Sequence, residues 1–136
     1  MQNTALLKDA ERIARLLMAL ILLTAGTSKF CSDGGFQAYY SGLFQGELRI
    51  QLPAALVEGW LMLIPFIEIS LGAALLVTAW RWWTVHAWFA FMGTLLVGHY
   101  VLQEWSAVNQ MLDYFLLGLL ALVLPAHRSW LTRDAA

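Results

Sequence analysis

The chain has 136 residues, of which 60% are apolar and 12% charged, and a net charge of −1. A soluble domain carries about 25% charged residues, so this composition argues against one. The sequence also has no cluster of Lys and Arg that could displace counterions from phosphates, which argues against nucleic acid as a partner. Several apolar runs approach the roughly 20 residues that cross a bilayer. We therefore expect an integral membrane protein in contact with lipid.

The first predicted element is a transmembrane helix at about residues 13–30, after a polar, amphipathic lead. Basic residues before an apolar run are also typical of a secretory signal peptide. The stretch from Gly26 to Cys31 has no convincing small-x-small cleavage site, and cleavage would leave three spans. We expect this segment to be retained as the first helix.

An amphipathic segment follows at residues 36–44. Aromatic and apolar side chains recur there at the i, i+3, i+4, i+7 and i+8 spacing of a helix: Phe36, Tyr39, Tyr40, Leu43 and Phe44. We expect this helix to lie in the outer membrane interface or to cap the bundle.

Three further spans are predicted at about residues 56–79, 84–102 and 111–124, with a loop over residues 103–110. The chain is therefore predicted to be all-α, a single transmembrane domain over residues 1–136 that forms a four-helix bundle. Tryptophans mark the predicted span ends, where an amphipathic indole is favoured. Only Trp88 lies further in; the others are Trp60, Trp80, Trp82, Trp83, Trp105 and Trp130.

The basic residues are distributed unequally between the two predicted faces. Lys29 and Arg49 fall on one side, and the other six of the eight fall on the opposite side: Lys8, Arg12, Arg15, Arg81, Arg128 and Arg133. Cytoplasmic segments carry the excess of Lys and Arg. This bias predicts cytoplasmic N- and C-termini in a multi-pass protein of the bacterial inner (cytoplasmic) membrane.

Two segments carry a family resemblance. The stretch Arg12–Phe30, RIARLLMALILLTAGTSKF, resembles the first helix of DoxX-type membrane proteins, which ends in an A-G-x-x-K-[LF] pattern. In the second span, Glu68 is followed one turn later by Gly72, which is similar to the same family. The sequence resembles the related MauE type of redox-associated membrane protein almost as closely. The resemblance implies a four-helix bundle that serves as an accessory or quinone-facing partner of a redox system, as in thiosulfate:quinone oxidoreductase.

Glu68 is the candidate catalytic residue because it lies roughly halfway along the second span. A charged group at the centre of a membrane helix costs about 2.5 to 3.5 kcal/mol, so the carboxyl must face the bundle and be protonated or paired. Pro65 can open the helix and supply a carbonyl or water partner. Glu68 is then either a proton-accepting or quinone-binding group, or a protonated acid that joins helices by a hydrogen bond.

Other polar residues fall near the predicted outer helix ends. With Glu68, they make a candidate cofactor-binding pocket that consists of Lys29, Glu58, His99 and Tyr100, and Asp113 falls close by. Lys29 could hold a quinone oxygen or an anion there. The alternative is interfacial snorkelling, with an ion pair from Lys29 to Glu58 or Asp113.

The histidines and the cysteine are weaker candidates for functional residues. His86 and His99 are 13 residues apart, but only His127 remains as a further ligand, so we do not expect haem. The single cysteine, Cys31, follows Lys29, which could lower its thiol pKa, yet a lone loop cysteine is more often a bystander. It cannot form an intrachain disulfide or a CxxC motif. No metal site is expected, and quinone is the one cofactor suggested.

Two hypotheses follow from the sequence. In the first, the chain is a DoxX-like membrane subunit of a quinone-linked redox system that acts with partner proteins and has no independent enzymatic activity. In the second, it is a non-catalytic accessory subunit that stabilises a larger membrane protein complex through helix and lipid contacts. Both predict a protein partner, and they differ in whether Glu68 is needed for turnover.

Overall fold

The computed structural model describes residues 2–77 and 80–125. Within these ranges the chain forms five α-helices and no strand: α1 (Gln2–Phe30), α2 (Gly35–Phe44), α3 (Ala54–Leu75), α4 (Arg81–Val101) and α5 (Trp105–Val123). The all-α prediction is therefore confirmed. Helix α1 packs against α3 and α5, α4 packs against α5 and less closely against α3, and α2 packs against α3.

Three of the described helices are long and apolar enough to cross a membrane: Thr4–Phe30, Ala54–Leu75 and Trp105–Val123. Helix α4 has a comparable length of 21 residues but is not among them. Its histidines, threonines and glycines dilute its apolar residues. Length and composition alone thus identify three candidate membrane spans among the described helices.

Helix α5 begins earlier than the sequence predicts. The segment 103–110 was expected to be a loop, but the helix starts at Trp105 and is 19 residues long. The polar residues Asn109 and Gln110 are exposed in the first turns of the helix. Exposed polar residues cost a helix little at its end, which is why hydropathy alone misplaces this boundary.

Close approach of α1 and α3 depends on two glycines. A Cβ atom added at Gly26 of α1 would lie 2.8 Å from Ile69 Cγ1, and one added at Gly72 of α3 would lie 2.9 Å from Leu23 Cγ. Small residues allow helix backbones to approach closely in membranes. These two contacts fix the register of the α1–α3 pair.

The core contains large side chains that are almost completely buried, among them Met18, Leu22, Leu75 and Trp88. Trp88 is 0% exposed, and its indole Nε1 donates to the carbonyl of Tyr114 at 3.1 Å. This bond satisfies the polar atom of an otherwise apolar side chain.

Along the bundle axis, α1 does not reach as far as the first residues of α3. We call the end of the molecule that carries α2 the outer end. The ring of Phe30, the last residue of α1, packs edge-on against Phe66 with centroids 5.0 Å apart. The segment of α3 from Ala54 to Phe66 rises about 18 Å, so the outer half of α3 extends beyond α1. Helix α2, which follows after the turn at residues 31–34, fills this space.

Candidate functional site

The central feature of the site is an ion pair between α1 and α3. Lys29 Nζ donates to both carboxylate oxygens of Glu68, at 2.7 Å to Oε1 and 2.9 Å to Oε2. The Glu68 side chain is 4% exposed and that of Lys29 is 19% exposed. The ammonium also lies over the Phe36 ring, 5.0 Å from its centroid. Both charges are thus compensated away from bulk water, which a buried ion requires.

The ion pair lies in the wall of a cavity of about 710 Å³ between α2, α3 and α4. This volume falls within the range of about 300 to 1,000 Å³ that is typical of small-molecule sites. The walls are mainly apolar, and four aromatic side chains contribute to them: Phe36, Tyr40, Phe44 and Trp60. The polar groups of Lys29, Glu68 and His99 also line it. A largely apolar cavity with a few polar groups is the usual form of a ligand site.

The outer part of the cavity is lined by residues of α2 and α4. His99 Nδ1 lies 2.6 Å from Glu104 Oε2, and the His99 ring packs edge-on against Tyr40 with centroids 6.3 Å apart. Burial raises the pKa of the Tyr40 phenol above its ordinary 10.0, and the nearby charge of Glu104 and the Tyr39 phenol raise it further. The phenol therefore stays protonated at neutral pH and keeps its hydrogen-bond donor.

Comparison with protein families identifies the chain. The model of the family described as methylamine utilisation protein MauE matches residues 7–113, more than three quarters of the sequence. The chain belongs to the MauE family. The MauE resemblance is therefore confirmed, and the matched segment contains Lys29, Glu68 and His99. Searches of curated proteins and of solved structures return no match.

The MauE-family fold brings together three of the five residues predicted to form an outer pocket. Lys29, Glu68 and His99 line the cavity, whereas Glu58 and Tyr100 are exposed and do not line it. The Tyr100 ring packs instead against Trp105, with centroids 5.5 Å apart.

The expected partner of Lys29 was wrong. The sequence suggested Glu58 or Asp113, but both are exposed, and Lys29 pairs with Glu68 instead. The cause is depth: Lys29 is at the end of α1, but α1 ends opposite the middle of α3 rather than at its outer end. The Glu68 carboxyl is therefore paired with an ammonium from α1.

Sequence reasoning missed a second buried charge cluster at the opposite, inner end. Glu11 Oε1 accepts from Arg15 Nε at 2.6 Å and from Arg81 Nε at 3.0 Å. Arg15 Nη1 also donates to the Leu75 carbonyl at 2.8 Å, and Arg81 Nη2 donates to the last carbonyls of α5, those of Ala121, Leu122 and Leu124. The i,i+4 spacing of Glu11 and Arg15 was the available signal. This cluster joins four helices.

The remaining candidates lie apart from the cavity. His86 is exposed, lies against the Trp82 ring and has Nδ1 2.7 Å from the Trp82 carbonyl; His127 lies outside the described residues. Cys31 is a free, exposed thiol just after α1. Across residues 2–77 and 80–125, no group of three or more His, Cys, Asp or Glu side chains is placed to hold a metal ion.

Proposed function

We propose that this MauE-family chain is the membrane subunit of a redox system, in which the cavity between α2, α3 and α4 binds a quinone and a partner protein supplies or accepts the electrons. The observation that carries the proposal is the buried Lys29–Glu68 ion pair in the wall of a ligand-sized, largely apolar cavity. The family name refers to methylamine utilisation, and we place the chain in a redox system of that kind.

The donor set of the cavity fits a quinone. A quinone has a flat apolar ring with carbonyl oxygens that only accept hydrogen bonds, and Lys29 Nζ is a charged donor at the cavity wall. Aromatic rings such as those of Phe36 and Trp60 offer flat faces for stacking. A bound quinone would supply two-electron, two-proton chemistry. The size and the chemistry of the lining are thus both compatible with this ligand.

The two charged residues have separate tasks in this proposal. Lys29 Nζ carries three N–H donors, two of which donate to Glu68, so the third can donate to a ligand carbonyl. Glu68 holds the ammonium in position and compensates its charge in the apolar wall of the cavity. Both residues bind and orient the ligand, and electrons come from the partner.

We further propose that α4 is the fourth span and that both termini face the cytoplasm of an inner membrane. The inner cluster supports this assignment, since Arg15 and Arg81 lie at the end of the bundle opposite α2. Lys8 is exposed on α1 at that same end. Positive charge at the inner end agrees with the positive-inside rule.

The proposal is tested by titrating the protein in phosphatidylcholine nanodiscs with a short-chain ubiquinone analogue and following tryptophan fluorescence, since Trp60 lines the cavity. Lys29→Met removes the donor and is expected to weaken binding by about tenfold or more, the value of a hydrogen bond to a charged group. Glu58→Gln, an exposed carboxyl on the same helix as Glu68, is the matched control and should bind as wild type does. Equal binding by Lys29→Met and wild type would refute the proposal.

One observation favours the second hypothesis, a structural accessory subunit. Lys29 holds both carboxylate oxygens of Glu68 without any ligand, as expected of a pair that joins α1 to α3. The double variant Lys29→Met/Glu68→Leu separates the two roles. A purely structural pair can be replaced by apolar side chains with no loss of complex assembly or system turnover. A ligand-binding pair cannot, and turnover would then fall although assembly is retained.

A further inference from the structure

We propose that the ligand of the cavity carries a long apolar tail and enters sideways from the lipid through a gap between α3 and α4, which we call the lateral portal. Its edges are Leu56 on α3 and Ala90, Thr94 and Val97 on α4. This inference rests on the proposed function and deepens it, because it assigns the substrate class to lipid-dissolved quinones with an isoprenoid-like tail rather than to small water-soluble rings.

Exposure differs sharply between the two sides of the cavity. The residues at the portal edges face outwards, with Leu56 61% and Val97 60% exposed, although both also line the cavity. Two other lining residues of α3, Leu61 and Ile64, are only 4% and 3% exposed. The cavity is therefore closed towards the bundle core and open at the side, between two helices.

Towards the outer end the cavity is covered. Three half-buried aromatic side chains of α2, those of Phe36, Tyr40 and Phe44, line it from that side, and Tyr40 contacts His99 across to α4. Helix α2 itself packs against α3. A ligand that arrived from the aqueous phase would have to displace this helix, whereas a ligand in the bilayer meets the open side directly.

The portal lies at a depth that suits a lipid-dissolved molecule. Thr94 is seven residues from the outer end of α4 at Val101, which corresponds to about 10 Å along the helix. If α3 and α4 span the bilayer, the opening faces the acyl chains of the outer leaflet, whose hydrocarbon is about 15 Å thick. The ring can then lie near Lys29 and Glu68 while the tail remains in the portal.

Gly93 keeps the portal wide. It lines the cavity between Ala90 and Thr94, and a Cβ atom added there meets nothing within 4 Å. A side chain at position 93 would therefore enter the space that we assign to the tail. Gly59 offers a matched control: it is also helical, a Cβ atom there meets nothing within 4 Å, and it does not line the cavity.

The experiment compares two ligands of identical ring, one with a decyl tail and one with only a methyl group, titrated into phosphatidylcholine nanodiscs that contain wild type, Gly93→Leu or Gly59→Leu. We expect Gly93→Leu to weaken binding of the decyl compound by at least about tenfold, the effect of displacing about two methylene groups of the tail from the portal. Binding of the methyl compound should change less than about twofold. Gly59→Leu should leave both unchanged.

The outcomes separate the portal from the proposed function. If wild type binds both compounds and Gly93→Leu weakens both equally or neither, the portal is refuted while quinone binding stands. If wild type binds neither compound, both proposals fail. Val97→Trp, at an exposed edge of the portal, provides a second variant if Gly93→Leu does not fold, and it should discriminate against the decyl compound in the same way.

Discussion

Lys29 and Glu68 are 39 residues apart in the sequence, yet Lys29 Nζ lies within 2.9 Å of both carboxylate oxygens of Glu68. The contact exists because α1 ends opposite the middle of α3. Two charges that would each be costly in an apolar environment compensate each other. The pair therefore has consequences for stability as well as for ligand binding, and the two can be measured separately.

Removing one partner of this pair should be costly. Lys29→Met or Glu68→Leu is expected to lower the free energy of unfolding by about 3 to 5 kcal/mol, because an uncompensated buried group remains. The double variant Lys29→Met/Glu68→Leu should recover most of that loss. The measurement is equilibrium unfolding in mixed micelles with increasing sodium dodecyl sulfate. A double variant less stable than either single one would show that the pair is not the source of the cost.

The two glycines at the α1–α3 contact should not tolerate a methyl group. Gly26→Ala and Gly72→Ala each place a Cβ atom less than 3.0 Å from a neighbouring side chain, so the helices must shift. We expect each substitution to lower the free energy of unfolding by about 1 to 3 kcal/mol. In Gly59→Ala the added atom meets open space, and the better helix propensity of Ala should leave stability equal or slightly higher. Thermal unfolding of the three variants in detergent tests the ranking.

Arg81 should contribute strongly to the inner end of the bundle. It joins Glu11 of α1 to the final carbonyls of α5, and its side chain is 18% exposed. Arg81→Met is expected to lower the free energy of unfolding by about 3 kcal/mol, because several buried acceptors lose their donor. The exposed Arg49 is the control, and Arg49→Met should change stability by less than about 0.5 kcal/mol. Equal effects of the two substitutions would contradict the role of the cluster.

Tyr40 should give α2 a stability that depends on alkaline pH. Its pKa is raised above 10.0 in the folded protein, so the folded state favours the protonated phenol. The contribution of the protonated Tyr40 phenol to the stability of the folded state is fully present below pH 10. It is lost as the pH rises through the raised pKa. Absorbance at 295 nm should show a phenol that ionises above pH 10. Tyr40→Phe should remove that component, and Tyr100→Phe, which changes an exposed phenol on α4, should leave it in place.

The proposed orientation can be tested with single cysteines in a Cys31→Ser background. Glu47 is exposed in the connection between α2 and α3, and Lys8 is exposed near the start of α1. In intact cells, a membrane-impermeant maleimide should label Glu47→Cys and should label Lys8→Cys only after lysis. The reverse pattern would place the N-terminus outside.

The sequence by itself determined the all-α class and the membrane character. These properties depend on local composition and on helical periodicity, both of which are visible in short windows. It also singled out Glu68, because the cost of an acid within an apolar helix does not depend on which neighbour compensates it. The amphipathic segment at residues 36–44 was visible for the same reason, and α2 occupies Gly35–Phe44.

The tertiary structure alone decided which charged residues meet. Lys29 looked like an outer residue because it follows an apolar run, but the length of α1 relative to α3 decides its depth, and the contacts at Gly26 and Gly72 set that register. Arg81 lies 70 residues from Glu11, and their contact likewise depends on how the helices pack. Long-range pairs of this kind follow from helix register and packing, which no local pattern in the sequence encodes.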